Sequence, residues 1–282
     1  MLEAPYHAAG DQAAGLRRLF GERPPRVIAF VSGREACGRT TLVVQTAAAL
    51  AQAGNGVVLI DENPPPRNMF AAFGMTSRHD LMDLVQGGCS AQQIMQPAAP
   101  LVRAVAASRL AAELRDPDPL AVAQLDAGLR QLEQGAAFIL IDCAARLGGQ
   151  VSPLALTARH IVVVVAAQGA AITQAYALIK RMARERGRDD FQVVVTRARS
   201  GEEAQAIFDN LRRTAREHLG VRLDYLGGSR VPVTDHLAEA LQNRLPLAAW
   251  DVEAGGFLPF EVRREPRRSV SRPAPRSLES VL

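Results

Sequence analysis

Residues 29–41, AFVSGREACGRTT, contain the turn that decides the fold of this chain. Gly33 and Gly38 stand five positions apart, after an apolar run at 26–31 and before Arg39 and a helical pattern. This is the layout of a phosphate-binding loop, G-x-x-x-x-G-K-[ST], with arginine in the place of the lysine. The candidate nucleotide-binding positions are Gly33, Arg34, Glu35, Ala36, Cys37, Gly38, Arg39, Thr40 and Thr41.

The chemistry of such a loop depends on its backbone and on two side chains. Backbone N–H groups surround the phosphate, and the N-terminus of the following helix adds a favourable dipole. The lysine bridges the phosphates and the hydroxyl holds Mg²⁺. The arginine of this chain has a larger, planar fork whose donors are placed differently. Taken alone, the stretch fits a nucleotide site and an ordinary glycine-containing turn equally well.

The composition predicts an intracellular α/β protein. The 282 residues carry a net charge of only +4, and this small excess of cations does not by itself indicate DNA binding. Cys37, Cys89 and Cys143 are widely separated and match neither a metal motif nor a disulfide framework, which favours a reducing cytosol. Residues 1–25 lack the apolar segment of a signal peptide, and the apolar run at 161–167 is too short to span a bilayer. We therefore expect a soluble, cytoplasmic protein.

The chain is predicted to fold as one domain with two appended segments. A motif and linker occupy 1–25, a P-loop domain occupies 26–250, and an Arg- and Pro-rich tail at 251–282 is expected to be disordered. Strands and helices alternate in the domain, which predicts an α/β fold with a doubly wound, mainly parallel sheet. Strands are predicted at 26–31, 57–60, 101–107, 137–141, 160–166, 191–196 and 221–226. Helices are predicted at 41–53, 80–86, 90–95, 119–134, 173–184, 202–219 and 236–241, with an irregular segment at 61–73.

Polar side chains stand at the ends of predicted strands. Asp61 and Asn63 follow the second strand, and Asp142 follows the strand at 137–141. Open α/β sheets bind ligands at the carboxyl ends of their strands, and an aspartate in the position of Asp142 orders Mg²⁺ in P-loop proteins. Each residue alone fits an ordinary strand-end turn, but together with the loop they indicate a nucleotide site. The predicted metal ligands are Thr40, Asp61 and Asp142, and Thr196 and Arg197 are further predicted nucleotide contacts.

The order of these motifs resembles that of the MinD/ParA family of ATPases, which have a deviant Walker A loop. Asp61-Glu62-Asn63 with Arg67-Asn68 resembles the D-x-D…R-N switch region of that family, with Asn63 at its second aspartate. The resemblance covers residues 11–250. It implies a P-loop NTPase fold, bound ATP or ADP with Mg²⁺, and the capacity to form a homodimer.

Two further stretches resemble the flagellar branch of the family, the FlhG proteins, which are also called FleN or YlxH. Residues 171–180, AITQAYALIK, resemble its S-I-T-D-A-Y-A-x-I-K segment. The amphipathic stretch DQAAGLR at 11–17 matches its N-terminal signature D-Q-A-x-x-L-R. In that branch the motif helix engages and stimulates FlhF, a signal-recognition-particle-type GTPase. The partner-binding residues implied by this resemblance are Asp11, Gln12, Ala13, Leu16, Arg17 and Phe20.

The resemblance implies a regulator of flagellar number or placement that acts through an FlhF-like GTPase. Flagellar switch or basal-body components and a flagellar transcription regulator are further candidate partners, and no specific nucleic acid is expected. A peripheral position at the membrane or the cell pole is also implied. Two alternatives stay open. The N-terminal helix could pack on its own domain, and the core could be a working ATPase that cycles between a monomer and an ATP-bound dimer.

Several residues depart from the family pattern. Arg34 stands where a signature lysine of the family reaches across the dimer, and Glu35 and Ala36 replace the two glycines that follow. Arg39 replaces the loop lysine. Asn63 replaces the carboxylate that activates the attacking water, and an amide orients water but does not accept its proton. The implied catalytic residues are Arg34, Asp61 and a degenerate Asn63. We therefore expect ATP hydrolysis to be weak or absent.

The tail allows two interpretations. The apolar stretch at 256–260 precedes four arginines between 263 and 268, as in a weak membrane-surface anchor. Four prolines between 259 and 275 argue against a continuous amphipathic helix. The prolines favour a solvated tail.

Overall fold

The computed structural model describes residues 24–113, 119–145, 151–229 and 256–258. The strands of these residues are β1 (Arg26–Val31), β2 (Val57–Asp61), β3 (Gln96–Ala99), β4 (Val102–Ala106), β5 (Phe138–Asp142), β6 (His160–Ala166), β7 (Asp190–Thr196) and β8 (Arg222–Ser229). The helices are α1 (Arg39–Gln52), α2 (Met69–Ala72), α3 (Leu81–Val85), α4 (Ala91–Ile94), α5 (Ser108–Glu113), α6 (Pro119–Leu132), α7 (Pro153–Thr157), α8 (Gly169–Arg186) and α9 (Gly201–Leu219). The strands form one sheet in the order β3-β4-β2-β5-β1-β6-β7-β8, and every neighbouring pair is parallel except β3 with β4.

Helices cover both faces of this sheet. Alternate residues of β1 face two different apolar clusters, because Val27 and Val31 belong to one and Ile28 and Phe30 to the other. Side chains of α8 and α9 complete the first cluster, and side chains of α1 complete the second. β6, with the sequence HIVVVVA, is buried along its whole length, as expected of a parallel strand that is covered on both faces. The prediction of a doubly wound, mainly parallel sheet is confirmed.

The register of the central strands places polar residues at one edge of the sheet. Asp61, the last residue of β2, pairs with Asp142, the last residue of β5. Asp142 pairs in turn with Phe30 of β1, immediately before the glycine-containing loop. Because these three strands are parallel, the loop and both carboxylates lie at the same carboxyl edge.

The structure differs from the sequence prediction mainly in short elements. Sequence analysis does not predict β3, because its residues QPAA contain a proline and no β-branched or aromatic side chain. It also misses α2, α5 and α7, which have four to six residues each and are too short to show a periodic pattern. β8 continues beyond its predicted end at 226, with a shift of register between Val193 and Val194 of β7. The helix predicted at 236–241 lies outside the described residues.

Residues 256–258, which belong to the predicted tail, pack on the domain. Phe257 is buried and forms an isolated antiparallel bridge with Ala158. The N–H groups of Gly256 and Phe257 donate to Glu133 Oε1 at 2.8 and 3.1 Å. The Phe257 side chain is therefore buried against the domain in this arrangement. No helix among the described residues is long and apolar enough to cross a membrane.

Candidate functional site

The loop between β1 and α1 contains two residues with a left-handed backbone. Gly38, the N-cap of α1, has a φ of 84°, and Ala36 has a φ of 58°. Both angles are left-handed, a conformation that alanine adopts less readily than glycine. The side chains of Arg34 and Glu35 at the tip of the loop are exposed, whereas Cys37 is buried. The turn thus persists without the glycine that the family pattern has at position 36.

Neighbouring elements hold this loop on both sides. A Cβ at Gly33 would lie 2.5 Å from the backbone carbonyl carbon of Gln174, so only glycine allows the loop to pack directly on α8. On the other side, the Thr196 hydroxyl donates to the carbonyl oxygen of Cys37 at 2.8 Å. Arg197 follows with a φ of 60° and is exposed. The loop is therefore fixed between α8 and the end of β7.

Arg39 lies buried under the loop, with 6% of its surface exposed. Its Nε donates to Asp142 Oδ1 at 2.5 Å, and its Nη1 donates to Ser32 Oγ at 2.7 Å. Its Nη2 donates to Asn63 Oδ1 at 2.8 Å. Burial alone lowers the pKa of Arg39, but the charge of Asp142 and the hydrogen bond to it outweigh burial and raise this pKa. All three nitrogens of the guanidinium are thus bonded to the protein itself.

Asp142 uses both carboxylate oxygens within the protein. Oδ1 accepts the hydrogen bond from Arg39, and Oδ2 accepts from the Thr40 hydroxyl at 2.6 Å. Oδ2 also accepts from Asn63 Nδ2 at 2.8 Å. The residue is fully buried, so its charge depends on these three partners and not on water.

Asn63 forms hydrogen bonds with the three charged residues of the site, Arg39, Asp61 and Asp142. Its Oδ1 accepts from Arg39, while its Nδ2 donates to Asp142 Oδ2 and, at 2.9 Å, to Asp61 Oδ1. An amide satisfies this set because it has one acceptor and two donors. A carboxylate at position 63 would face two other carboxylates without a proton to donate.

Asp61 has an unusual titration behaviour. Burial and, to a smaller extent, the nearby charge of Asp142 raise its pKa to about 6, although hydrogen bonds from Asn63 and the backbone N–H of Met69 oppose the shift. The Met69 N–H donates to Asp61 Oδ2 at 2.7 Å and so connects β2 to the first turn of α2. Asp61 is therefore close to half-protonated near pH 6.

Glu62 is a buried member of the site that the sequence interpretation misses. It is only 1% exposed, and its carboxylate accepts from the Ala144 backbone N–H at 3.1 Å and from the Ser152 hydroxyl. It thereby connects the end of β2 to the chain on either side of 146–150, which lies outside the described residues. The feature that could have indicated the burial of Glu62 is its position directly after β2, whose five residues are all buried.

The structure brings together five of the residues predicted for the nucleotide and metal site. Arg39, Thr40, Asp61, Asn63 and Asp142 form one hydrogen-bonded cluster. Arg34, Thr41 and Arg197 are exposed and lie outside this cluster. The residues predicted to bind a partner, at 11–20, lie outside the described residues.

The residues present do not fit a divalent cation. Mg²⁺ requires oxygen ligands in near-octahedral geometry, and the predicted protein ligands are Thr40, Asp61 and Asp142. The Thr40 hydroxyl donates to Asp142, and both oxygens of Asp61 accept hydrogen bonds from Asn63 and the Met69 N–H. Both oxygens of Asp142 already accept hydrogen bonds, and the guanidinium beside it already provides a positive charge. Across the described ranges, no group of three or more His, Cys, Asp or Glu residues is arranged to hold a metal ion.

Comparison with known proteins agrees with the motif order. The family model of the CobQ/CobB/MinD/ParA nucleotide binding domain matches residues 28–247. The antiactivator FleN of Pseudomonas aeruginosa is 28% identical over 229 residues, which are 81% of this chain and 81% of FleN. The resemblance to the FlhG/FleN branch is thereby confirmed.

Solved structures with the same fold have low sequence identity. A plasmid partition protein of Borrelia burgdorferi superposes with a TM-score of 0.60 and 13% identity, covering 79% of this chain and 100% of that protein. The septum site-determining protein MinD of Pyrococcus horikoshii, solved in complex with Mg-ADP, superposes with a TM-score of 0.56 and 18% identity, covering 78% of this chain and 97% of that protein. These two comparisons establish the fold alone.

Removing the guanidinium of Arg39 is expected to destabilise the fold strongly. Arg39→Ala leaves the Asp142 carboxylate buried without its charged partner, and breaking a buried pair in this way reduces the free energy of unfolding by about 3–5 kcal/mol. Urea unfolding of both proteins measures the difference. Arg222→Ala is the control, because Arg222 pairs with Asp190 at 2.8 Å on the surface and such pairs contribute about 1 kcal/mol or less. Equal losses in the two variants would contradict a stabilising role for the buried pair.

The stability of the protein is expected to fall as the pH rises from 5 to 7. Folded Asp61 titrates near a pKa of about 6, whereas an unfolded aspartate has already lost its proton at pH 5. The folded state therefore binds more protons in this window, and the free energy of unfolding declines by about 1 kcal/mol between pH 5 and 7. Asp61→Asn should remove this decline of the free energy of unfolding with pH. Asp224→Asn, on the exposed side of β8, should retain it. An unchanged slope in Asp61→Asn would assign the dependence to another group.

Proposed function

Because the chain belongs to the CobQ/CobB/MinD/ParA nucleotide-binding-domain family, we propose that it is a cytoplasmic regulator of the FlhG/FleN type. In this proposal it controls flagellar number or placement, and its core hydrolyses ATP very slowly or not at all. The observation that carries the proposal is the buried ion pair between Arg39 and Asp142. The name antiactivator for the FleN relative supports a regulatory role.

The position of Arg39 argues against hydrolysis. A loop lysine acts by placing its charge on the phosphates, but the guanidinium of Arg39 is turned inward and bonded to Asp142, Ser32 and Asn63. It would have to leave all three partners to reach a phosphate. Removing one electrostatic contributor to a transition state typically lowers the rate by about 10²–10³.

Two other contributors to catalysis are altered as well. Asn63 has no carboxylate to accept a proton from water, and its Nδ2 is already engaged by Asp61 and Asp142. Arg34, proposed to stand in for the lysine that acts across a dimer, is exposed beside Glu35, whose negative charge disfavours bound phosphates. The three changes affect the same reaction, although their effects need not multiply.

The output of the protein, in this proposal, is its N-terminal motif. The stretch DQAAGLR at 11–17 is proposed to form a helix that docks on an FlhF-like GTPase, with Gln12, Leu16 and Arg17 in the contact. A flagellar transcription regulator is a second proposed partner, because the FleN relative is named an antiactivator. The core would then position the motif without needing to turn over ATP.

A second candidate function is an ATP-driven switch that forms a homodimer. The left-handed backbone at Ala36 and Gly38 supports it, because successive N–H groups in turns that include left-handed residues form anion-binding concavities. The proposed contacts of ATP or ADP are then the backbone of residues 33–41 together with the exposed Arg34 and Arg197. Turnover is what separates this switch from the first proposal.

Phosphate release from Mg-ATP tests the proposed loss of hydrolysis. Wild-type protein and Thr40→Ala should release phosphate at the same rate within error, because the wild-type site lacks the groups that stabilise the transition state. The rate should lie at least about 100-fold below that of a MinD-type ATPase assayed in parallel. Steady turnover in the wild type, clearly above Thr40→Ala, would favour the ATP-driven switch.

GTP hydrolysis by an FlhF-type protein tests the proposed output. The full-length chain should stimulate that GTPase, and replacing Gln12 and Leu16 together by alanine should weaken the apparent affinity about tenfold or more, since truncating anchor side chains removes over 1 kcal/mol of binding energy. Arg18→Ala, adjacent to the motif, is the matched control and should stimulate like the wild type. Full stimulation by the double variant would exclude the motif as the contact.

A further inference from the structure

We infer that Arg39 and Asn63 together replace the divalent cation at this site, so that the protein excludes Mg²⁺ from the end of β5. In the sequence these residues are two separate departures from the family pattern. In the structure they are one hydrogen-bonded unit, because Arg39 Nη2 donates to Asn63 Oδ1 at 2.8 Å. The inference concerns the nucleotide site of the proposed function but does not depend on whether ATP is hydrolysed.

The first argument concerns charge. Asp142 is fully buried, and burying a carboxylate is costly unless it has a charged partner and is hydrogen-bonded. The guanidinium of Arg39 provides both at Asp142 Oδ1. A divalent cation on the same carboxylate would be repelled by this guanidinium at short range in a poorly screened environment.

The second argument concerns the available oxygens. Mg²⁺ binds oxygen at short distances and tolerates little distortion of its octahedron. The two oxygens of Asp142 are directed at Arg39 on one side and at Thr40 and Asn63 on the other. The nearest other carboxylate, Asp61, accepts hydrogen bonds from Asn63 and from the Met69 N–H. A cation could enter only after several of these bonds had been broken.

The third argument is that the two replacements depend on each other. A lysine at 39 has a single nitrogen and cannot reach Ser32, Asp142 and Asn63 in the planar arrangement that the guanidinium allows. An aspartate at 63 would lose the three Nδ2 hydrogen bonds and would bring a third carboxylate toward Asp61 and Asp142. Each residue is thus suited to the site only when the other is present, and only the combined reversion frees the carboxylates for a metal.

Binding of Mn²⁺ alone, without nucleotide, tests the inference by electron paramagnetic resonance of the free ion. The double variant Arg39→Lys/Asn63→Asp should bind one Mn²⁺ at least about tenfold more tightly than the wild type and either single variant. Arg222→Lys/Asn210→Asp makes the same chemical changes on the exposed surface and should bind like the wild type. This control accounts for the added carboxylate.

Several results would overturn the inference. Wild-type binding of Mn²⁺ that matches the double variant and disappears in Asp142→Asn would show that the cation is not excluded. No gain in the double variant would show that Arg39 and Asn63 are not what excludes it. If Arg39→Lys alone bound Mn²⁺ as tightly as the double variant, the proposed dependence on Asn63 would be wrong.

A measurement on the wild type covers the case in which the variants fail to fold. The melting temperature in MgCl₂ should equal that in NaCl of the same ionic strength, because no specific site takes the cation. A higher melting temperature specific to Mg²⁺ would overturn the inference. Stabilisation by Mg²⁺ without phosphate release would overturn this inference but leave the proposed loss of hydrolysis intact. Phosphate release without stabilisation by Mg²⁺ would contradict the proposed loss of hydrolysis and leave this inference intact.

Discussion

The buried ion pair between Arg39 and Asp142 is the interaction on which the rest of the site depends. The Asp142 side chain is 0% exposed and that of Arg39 is 7% exposed, so either charge would be strongly unfavourable without the other. The guanidinium is satisfied by residues at the ends of three adjacent parallel strands. Ser32 follows β1, Asn63 follows β2, and Asp142 ends β5. The parallel strands of the sheet thus place three acceptors within reach of the three nitrogens of one planar guanidinium.

The sequence was sufficient to predict the sheet and to place the loop and both aspartates at one edge of it, because strand periodicity and the parallel arrangement are local and topological properties. It was not sufficient to predict which way Arg39 points. That direction depends on partners 103 and 24 positions away in the chain. The loop sequence would be the same if the arginine pointed toward a bound ligand. The burial of Glu62 was missed for a similar reason, since its partners Ala144 and Ser152 are distant in the chain. The edge strand β3 was missed because its residues QPAA lack strand-forming side chains.

Three consecutive residues at the end of β2 form hydrogen bonds in three different directions. Asp61 accepts from the Met69 N–H at the start of α2, and Glu62 accepts from Ala144 and Ser152 beyond β5. Asn63 accepts from Arg39. In the family that the sequence resembles, this segment corresponds to a switch region. In this chain its side chains already have internal partners, so its conformation does not require a ligand to define it.

This arrangement has a thermodynamic consequence for regulation. A ligand shifts a conformational equilibrium only to the extent that it binds one state more tightly than the other. Where the charges of a site have no partners within the protein, nucleotide and metal ions supply those partners when they bind. The binding free energy then favours the conformation that binds them. Here Arg39, Thr40 and Asn63 compensate the buried carboxylates before any ligand arrives, which reduces the differential affinity available to a nucleotide. A core of this kind is better suited to hold one conformation than to alternate between two.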